Sequence, residues 1–570
     1  VTTWGPSNRI AVAVLLVAGL APFLNAFGNG FVWDDRPLIV DNPYVQDVRL
    51  LKEGLLSDFW RVLEDPSRFR SYYRPVTTLT YFLDYAVWGQ QPAGYHVTNV
   101  LWHLVNVLLV YWVALSLSLE RESALVASVL FAVHAVHTES VTWISGRTDV
   151  IACAFTLGAF GLALRSRRGP RFPLRIAAVA TLYLLAILAK EVAIVLPAAL
   201  ALHFVWLSPR DGDARRTFRA AMVSLTAAAS FYLVFRTRIL DLPLLIQGPT
   251  TLLVQVFNLP VLGGWYLLKL AWPWPLEAHV PLQWLPFTRW PMVLAIALCL
   301  AGAAVLLFLL GRRNRVALFA ASWVLLFLLP VLNAGTFTDV LVAERFLYLP
   351  SVGFAWLLGA AYGLIPRGRW ATGTARSVAV LLALTSTSLA LVRNRDWRHE
   401  LQFFRLMVAE SEAYPLPHMA LGEAYLRSGD AQSAISAFQE AIRRGPINCL
   451  SVNSLALAYL RHGLQMRSAP TLDNGFDLVQ NALKGPCGTA DVLYNTLGEY
   501  YMRQRNVEGA LDAFRKALAL NPLRMGYYHN VGTILFATGR RDEARPYLQQ
   551  FVARAPRGTL RDQALSFLSQ

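Results

Sequence analysis

Charge is scarce in this 570-residue chain: Asp, Glu, Lys and Arg make up 15% of it, against 55% hydrophobic residues. With a mean hydropathy of +0.41 there is too little polar surface to clothe a globular protein of this size, which excludes a wholly soluble chain. Lysine is rarer still, five of the 52 basic residues, and no Asn-x-Ser/Thr sequon occurs. Both features suit a high-GC bacterium, and the expected location is its inner membrane. The net charge of +16 rests on arginines clustered in short connectors between apolar runs. Basic loops of that kind follow the positive-inside rule, so the excess reads as membrane topology and not as nucleic-acid binding. Cysteine is down to four, too few for a disulfide scaffold, and Cys153 and Cys299 fall inside apolar runs as small core residues.

Apolar sequence of membrane-spanning length is abundant by contrast. Spans are expected at 10–28, 97–117, 122–137, 150–164, 175–189, 191–207, 218–236, 290–311, 316–332, 346–365 and 376–392. The first lacks a small-residue cleavage site and is read as a retained span. The connectors 165–175, 208–219, 311–315 and 366–376 carry most of the arginine excess and are assigned to the cytoplasm. The stretch 251–272 contains Gln255, Asn258, Pro260, Gly263, Gly264 and Lys269, and is read as re-entrant or interfacial on the outer face. Counting it as a span would put the later arginine connectors outside, and gives the alternative of twelve crossings with cytoplasmic repeats. About eleven crossings yield an all-α polytopic bundle over 1–395 with a first outer loop at 29–96.

Residues 396–570 change character to amphipathic soluble helices. Leu421, Gly422, Tyr425, Ala434, Phe438, Ala441 and Pro446 return with identical spacing as Leu497, Gly498, Tyr501, Ala510, Phe514, Ala517 and Pro522. Gly532, Ala544 and Pro556 continue the pattern. Small residues where paired helices touch, aromatics between them and a closing proline are tetratricopeptide positions, so a repeat superhelix is expected. A degenerate unit with an insertion fills 449–490, and 396–411 is expected to cap the stack against the membrane. Cys449 stands near the start of the degenerate unit and Cys487 just past its end. Those ends are neighbours in a helical hairpin, and in an oxidising compartment a disulfide is predicted.

The topology gathers Asp34, Asp35, Arg74, His134, His137, Glu139, Arg147, Asp149, Lys190, Glu191, Glu344 and Arg345 at the outer face. Ionisable groups at the rim of a bundle cost free energy unless paired or hydrated, so their convergence marks a candidate site. Four segments carry a resemblance: FVWDDRPLIVDNPYV (31–45), HAVHTESVTWISGRTDV (134–150), AKEVAIVLP (189–197) and AERFLYLPSVGF (343–354). With the repeats, they make the chain resemble the transmembrane-and-tetratricopeptide O-mannosyltransferases, members of the GT-C class, over nearly its whole length.

The resemblance implies an inverting transfer of a sugar, mannose, from a polyprenyl phosphate to Ser or Thr of an exported protein. A first-loop carboxylate takes the acceptor's proton, and Asp34 or Asp35 is that base. Adjacent carboxylates repel, which raises one pKa and suits a base. The sequence leaves open which of the two faces the donor, and a loop turn capped by Asp side chains is the plain alternative. The leaving phosphate calls for cations at headgroup depth, for which Arg345, Lys190 and Arg147 are the candidates. Arg345 and Lys190 each adjoin an acid that they could instead neutralise. No cofactor is expected; the spacing of His134, His137 and Glu139 is compatible with a divalent metal but equally with interfacial hydrogen bonding. The repeats are expected to hold the protein acceptor, with the site and the repeats on the periplasmic side. Two other functions fit the sequence: a GT-C transferase acting on a lipid or surface glycan, and a non-enzymatic membrane-anchored scaffold for envelope assembly. A pure anchor gives no reason to gather charges at one rim.

Overall fold

The computed structural model of the chain describes residues 6–63, 72–166, 169–209, 211–240, 251–277, 280, 284–312, 314–332, 341–366, 368–445, 448–555 and 558–570. Pro446 and Pro556, part of the first loop and parts of the four arginine-rich connectors lie outside the described residues. Among the described residues all regular structure is helical. Eight of these helices are long and apolar enough to cross a bilayer, or nine if the bent pair Arg121–Ala132 and Ala135–Val141 is one span. Three shorter apolar helices, Arg9–Phe23, Glu191–Trp206 and Arg315–Val331, join the bundle.

One helix braces the face that carries the candidate site. Pro92–Ser116 begins with proline at its first turn, where the missing N–H has no partner to lose. It carries His96, Asn99, His103 and Asn106 at helical spacing on one stripe, all buried. Around it the chain breaks into short turns, Ala135–His137, Thr138–Val141 and Ile144–Gly146, too short to pair more than some of their carbonyls within themselves. Asn99 Nδ2 lies 3.1, 3.2 and 3.3 Å from the carbonyls of Val141, Trp143 and Ile144, and Asn106 Nδ2 donates to Val150 at 2.8 Å. The stripe thus satisfies the backbone of a broken rim where water cannot. Gly146 permits the tight return, since a Cβ there would lie 2.3 Å from the Glu139 carbonyl oxygen.

The 251–272 stretch, expected to be re-entrant or interfacial, is a continuous helix, Leu252–Ala271, with Pro260 inside it, which corrects the re-entrant form and leaves the interfacial one; by length and composition alone it would also qualify as a span. Near its end the Leu270 carbonyl meets His134 Nε2 at 3.0 Å, and the Tyr266 hydroxyl accepts from Ala343 N–H at 3.4 Å. In its first half Asn258 exchanges hydrogen bonds of 2.9 and 3.1 Å with Leu285, just ahead of the helix Trp290–Gly311. That next helix runs away from the candidate site, because Gly311 packs on Leu318 at the start of the helix Arg315–Leu328, while Leu329–Val331 beyond that helix border the site.

The C-terminal region is built of helix pairs: Pro415–Ser428 with Ala431–Arg444, Cys449–Met466 with Ala469–Lys484, Asp491–Arg503 with Val507–Leu520, and Met525–Ala537 with Arg541–Arg554. Gly422 and Gly498 are required by close packing, since a Cβ at either would come within 2.6 Å of the Phe438 or Phe514 ring. The small and aromatic repeat positions are therefore two halves of one contact. The degenerate unit absorbs its extra residues by lengthening its helices to 18 and 16 residues, against 13 and 14 in the unit that follows. Cys449 and Cys487 form the expected disulfide, with Cα atoms 5.6 Å apart. The helix Glu400–Glu410 caps the stack, packing Phe403, Phe404 and Met407 between Leu421 of the first repeat and Val32, Trp143 and Trp397.

Candidate active site

The two adjacent aspartates diverge. Trp33 adopts a left-handed φ of 57°, unusual for a bulky residue, and the chain then enters a single π-helical turn, Arg36–Val40. Asp35 points inward at 1% exposure. Its Oδ1 accepts from the Ser145 N–H at 2.8 Å and hydroxyl at 2.6 Å, and its Oδ2 accepts from Val32 N–H at 2.9 Å. Asp34 instead lines a cavity of about 1650 Å³. Burial pushes its carboxyl up to about 6, while Arg345 pulls it down and Glu139 pushes it up. Burial pushes Asp35 up to about 7 against the pull of its Ser145 and Val32 donors.

Arg345, Lys190 and Arg74 line the same cavity. The guanidinium of Arg345 pairs with Glu139, whose other oxygen accepts from the Arg345 N–H at 2.7 Å. It lies over Trp143 and Phe346, 5.4 and 5.0 Å from the ring centroids. Lys190 Nζ is 2.6 and 2.5 Å from the two oxygens of Asp149 and 4.8 Å from the Phe346 ring. Arg74 pairs with Glu191 at 3.0 Å and covers Tyr72 at 4.4 Å. Each cation is thus fixed by an acid and an aromatic face. Lys190 and Arg345 border the cavity while Asp149 and Glu139 stand behind them.

Two sequence expectations, those for Arg147 and Glu344, are corrected. Arg147 does not reach the cavity: it is fully buried, pairs with Asp84 at 2.6 Å, donates to the Tyr95 carbonyl at 3.2 Å and packs on the Tyr81 ring. His134, His137 and Glu139 do not converge as ligands, because His134 binds the Leu270 carbonyl, His137 Nε2 lies 2.8 Å from the Ser351 hydroxyl and Glu139 is held by Arg345. No group of three or more His, Cys, Asp or Glu suited to a metal occurs among the described residues. Glu344 is buried away from the cavity and accepts from Glu277 N–H at 2.7 Å. Sequence reasoning missed Asp84, Ser145, the stripe of Pro92–Ser116 and the cavity-lining Arg36 and Arg236. The helical spacing of His96, Asn99, His103 and Asn106 inside an apolar run was the available signal.

The cavity does not end at the membrane domain. Met419, Glu423, Asn448, Cys449, Asp491 and Asn521 of the repeats form its far wall.

A family model described as tetratricopeptide repeat matches residues 419–472 and 495–559. The chain is 27% identical to a protein O-mannosyl-transferase of Caenorhabditis elegans over 78% of its own length and 64% of that protein. It is 25% identical to the human protein O-mannosyl-transferase TMTC3, with 92% and 62% covered, and 35% identical to Drosophila melanogaster Tmtc2 over 30% and 19%. The chain spans about three fifths of the length of the first two relatives. Over most of its length, then, it is a helical membrane protein with tetratricopeptide repeats that resembles the transmembrane-and-tetratricopeptide O-mannosyltransferases.

Proposed function

We propose that this chain is a protein O-mannosyltransferase that moves mannose from a polyprenyl phosphate to Ser or Thr hydroxyls on the periplasmic side of a bacterial inner membrane. The observation that carries the reading is a single cavity joining Asp34, the cations Arg345, Lys190 and Arg74, and the surface of the repeats. Asp34 takes the proton of the acceptor hydroxyl as its oxygen attacks the anomeric carbon. The bond from that carbon to the phosphate oxygen breaks, and polyprenyl phosphate leaves with the bonding electrons. Arg345 and Lys190 meet the charge that develops on the phosphate, held still so that little reorganisation is needed at the moment of reaction. Asp35 fixes the loop, and the repeats carry the acceptor chain to the cavity.

The test is purified full-length protein in lipid nanodiscs with polyprenyl-phosphate mannose and a pool of exported proteins, read by mass spectrometry. Hexose on Ser or Thr that vanishes in Asp34→Asn supports the reading. Transfer that persists in Asp34→Asn removes the base, and modification confined to lipid or glycan removes the protein acceptor.

A further inference from the structure

Aromatic rings tie the foot of the repeats to the groups that line the cavity. Trp143 stacks with both Trp33 and Trp397, with ring centroids 5.5 Å away in each case and planes within 21° and 23°. Phe403 of the capping helix closes the cluster at 5.8 Å from Trp33 and 4.4 Å from Trp397. Trp143 also donates its Nε1–H to the Val32 carbonyl at 3.2 Å and carries the Arg345 guanidinium on its ring. Two residues on, Ser145 holds Asp35. The segment 32–35 is therefore fastened to 143–145 on both sides of Asp34, and the cation opposite rests on the same indole.

We propose that Trp143 is a positioning residue that sets Asp34 and Arg345 in one geometry, and that Trp397 and Phe403 complete its seat, so that the transfer site is assembled only with the foot of the repeats in place. This rests on the reading of Asp34 as the base. Offset stacking leaves each indole one preferred place against its neighbours, so removal of an outer ring frees the next. A displacement near 1 Å of a reacting group costs on the order of 100-fold in rate, which makes such a brace measurable at a distance from the chemistry.

The experiment uses the full chain in nanodiscs with Trp143→Ala, Trp143→Phe, Phe403→Ala and Phe403→Leu, the last keeping apolar bulk where the alanine variant does not fold. Turnover is expressed per folded enzyme. Trp143→Ala and the Phe403 variants are expected to lower kcat about tenfold or more with the donor KM within about threefold, and to move the acid limb of the pH profile. Trp143→Phe is expected to recover most of the loss. Unchanged kcat and an unmoved acid limb in Trp143→Ala, with only less folded protein, overturn the proposal. A wild type without transfer sinks the functional reading alone, and hydrogen exchange then decides. Faster exchange confined to 33–36 and 143–146 in Phe403→Leu upholds the brace, and exchange equal to wild type overturns it.

Discussion

Asp34 and Asp35 are neighbours with the same side chain, and their surroundings give them different work. Asp35 is bonded to three donors and closes the loop, whereas Asp34 borders the cavity. Asp34→Asn is expected to cost at least about 100-fold in transfer with little loss of stability, since general-base catalysis is typically worth about 10² to 10⁴. Asp35→Asn is expected to cost about 1 to 3 kcal/mol of stability, because an amide turns an N–H toward a buried donor; thermal unfolding in nanodiscs separates the two. The pH dependence follows from the Asp34 carboxyl, which burial raises to about 6. A base must be anionic, so kcat/KM should be full above that value and fall as the pH drops through it. A profile flat from pH 5 to about 8 would contradict the assignment. Lys190 tests whether a cation at the cavity does more than neutralise its partner. Lys190→Met leaves Asp149 buried and unpaired and should destabilise by about 3 to 5 kcal/mol. Adding Asp149→Asn should restore stability but not transfer if Lys190 meets the phosphate, and should restore both if the pair is only structural.

At the scale of elements, the sequence showed what repeats and what is long and apolar. Leu421 with its counterpart Leu497, and the small residues Gly422 and Gly498, marked the paired helices because packing distance imposes their identities. Cys449 and Cys487 were readable as a bridge because hairpin ends are adjacent whatever the insertion does. The helix Leu252–Ala271 was harder, since polar residues and an internal proline look like a break when their partners are unknown. Arg147 shows the same limit: its charge was visible, but Asp84, its partner 63 positions earlier, was not. The rim was the least legible part, because its short turns depend on Asn99 and Asn106 reaching across from another helix. Asn99→Leu keeps the branched shape but removes the side-chain donor shared by the carbonyls of Val141, Trp143 and Ile144, the last two of which keep only the N–H groups of Gly146 and Arg147. It is expected to lower stability by about 1 to 3 kcal/mol, seen as a lower midpoint of thermal unfolding. A variant as stable as wild type would mean that the rim finds other donors.

In the molecule as a whole, the rim and the repeats meet across one cavity, and the disulfide lies at its repeat side. Cys449, Asn448 and the turn residues Thr489 and Ala490 all line the cavity, so the bridge pins two segments of that wall. It closes a loop of 38 positions, for which the chain-entropy account gives roughly 4 kcal/mol of stabilisation, less any strain. Cys449→Ser with Cys487→Ser should lower the stability of the repeats by about that much. The membrane bundle lies outside the loop and should be untouched, so the loss should appear as a separate early transition in denaturant. If the wall holds the acceptor, the variant's KM for protein should rise while donor turnover without acceptor stays constant, a split that general unfolding would not give. The bridge also reports on topology, because it forms and persists where the compartment is oxidising. Peptide mapping under non-reducing conditions, with thiols blocked at lysis, should recover the 449–487 pair intact. After mild reduction of whole cells or spheroplasts, a membrane-impermeant thiol reagent should label both cysteines. Free thiols at lysis, or labelling only after the membrane is opened, would place the repeats in the cytoplasm, and the periplasmic assignment of the site would fall with them.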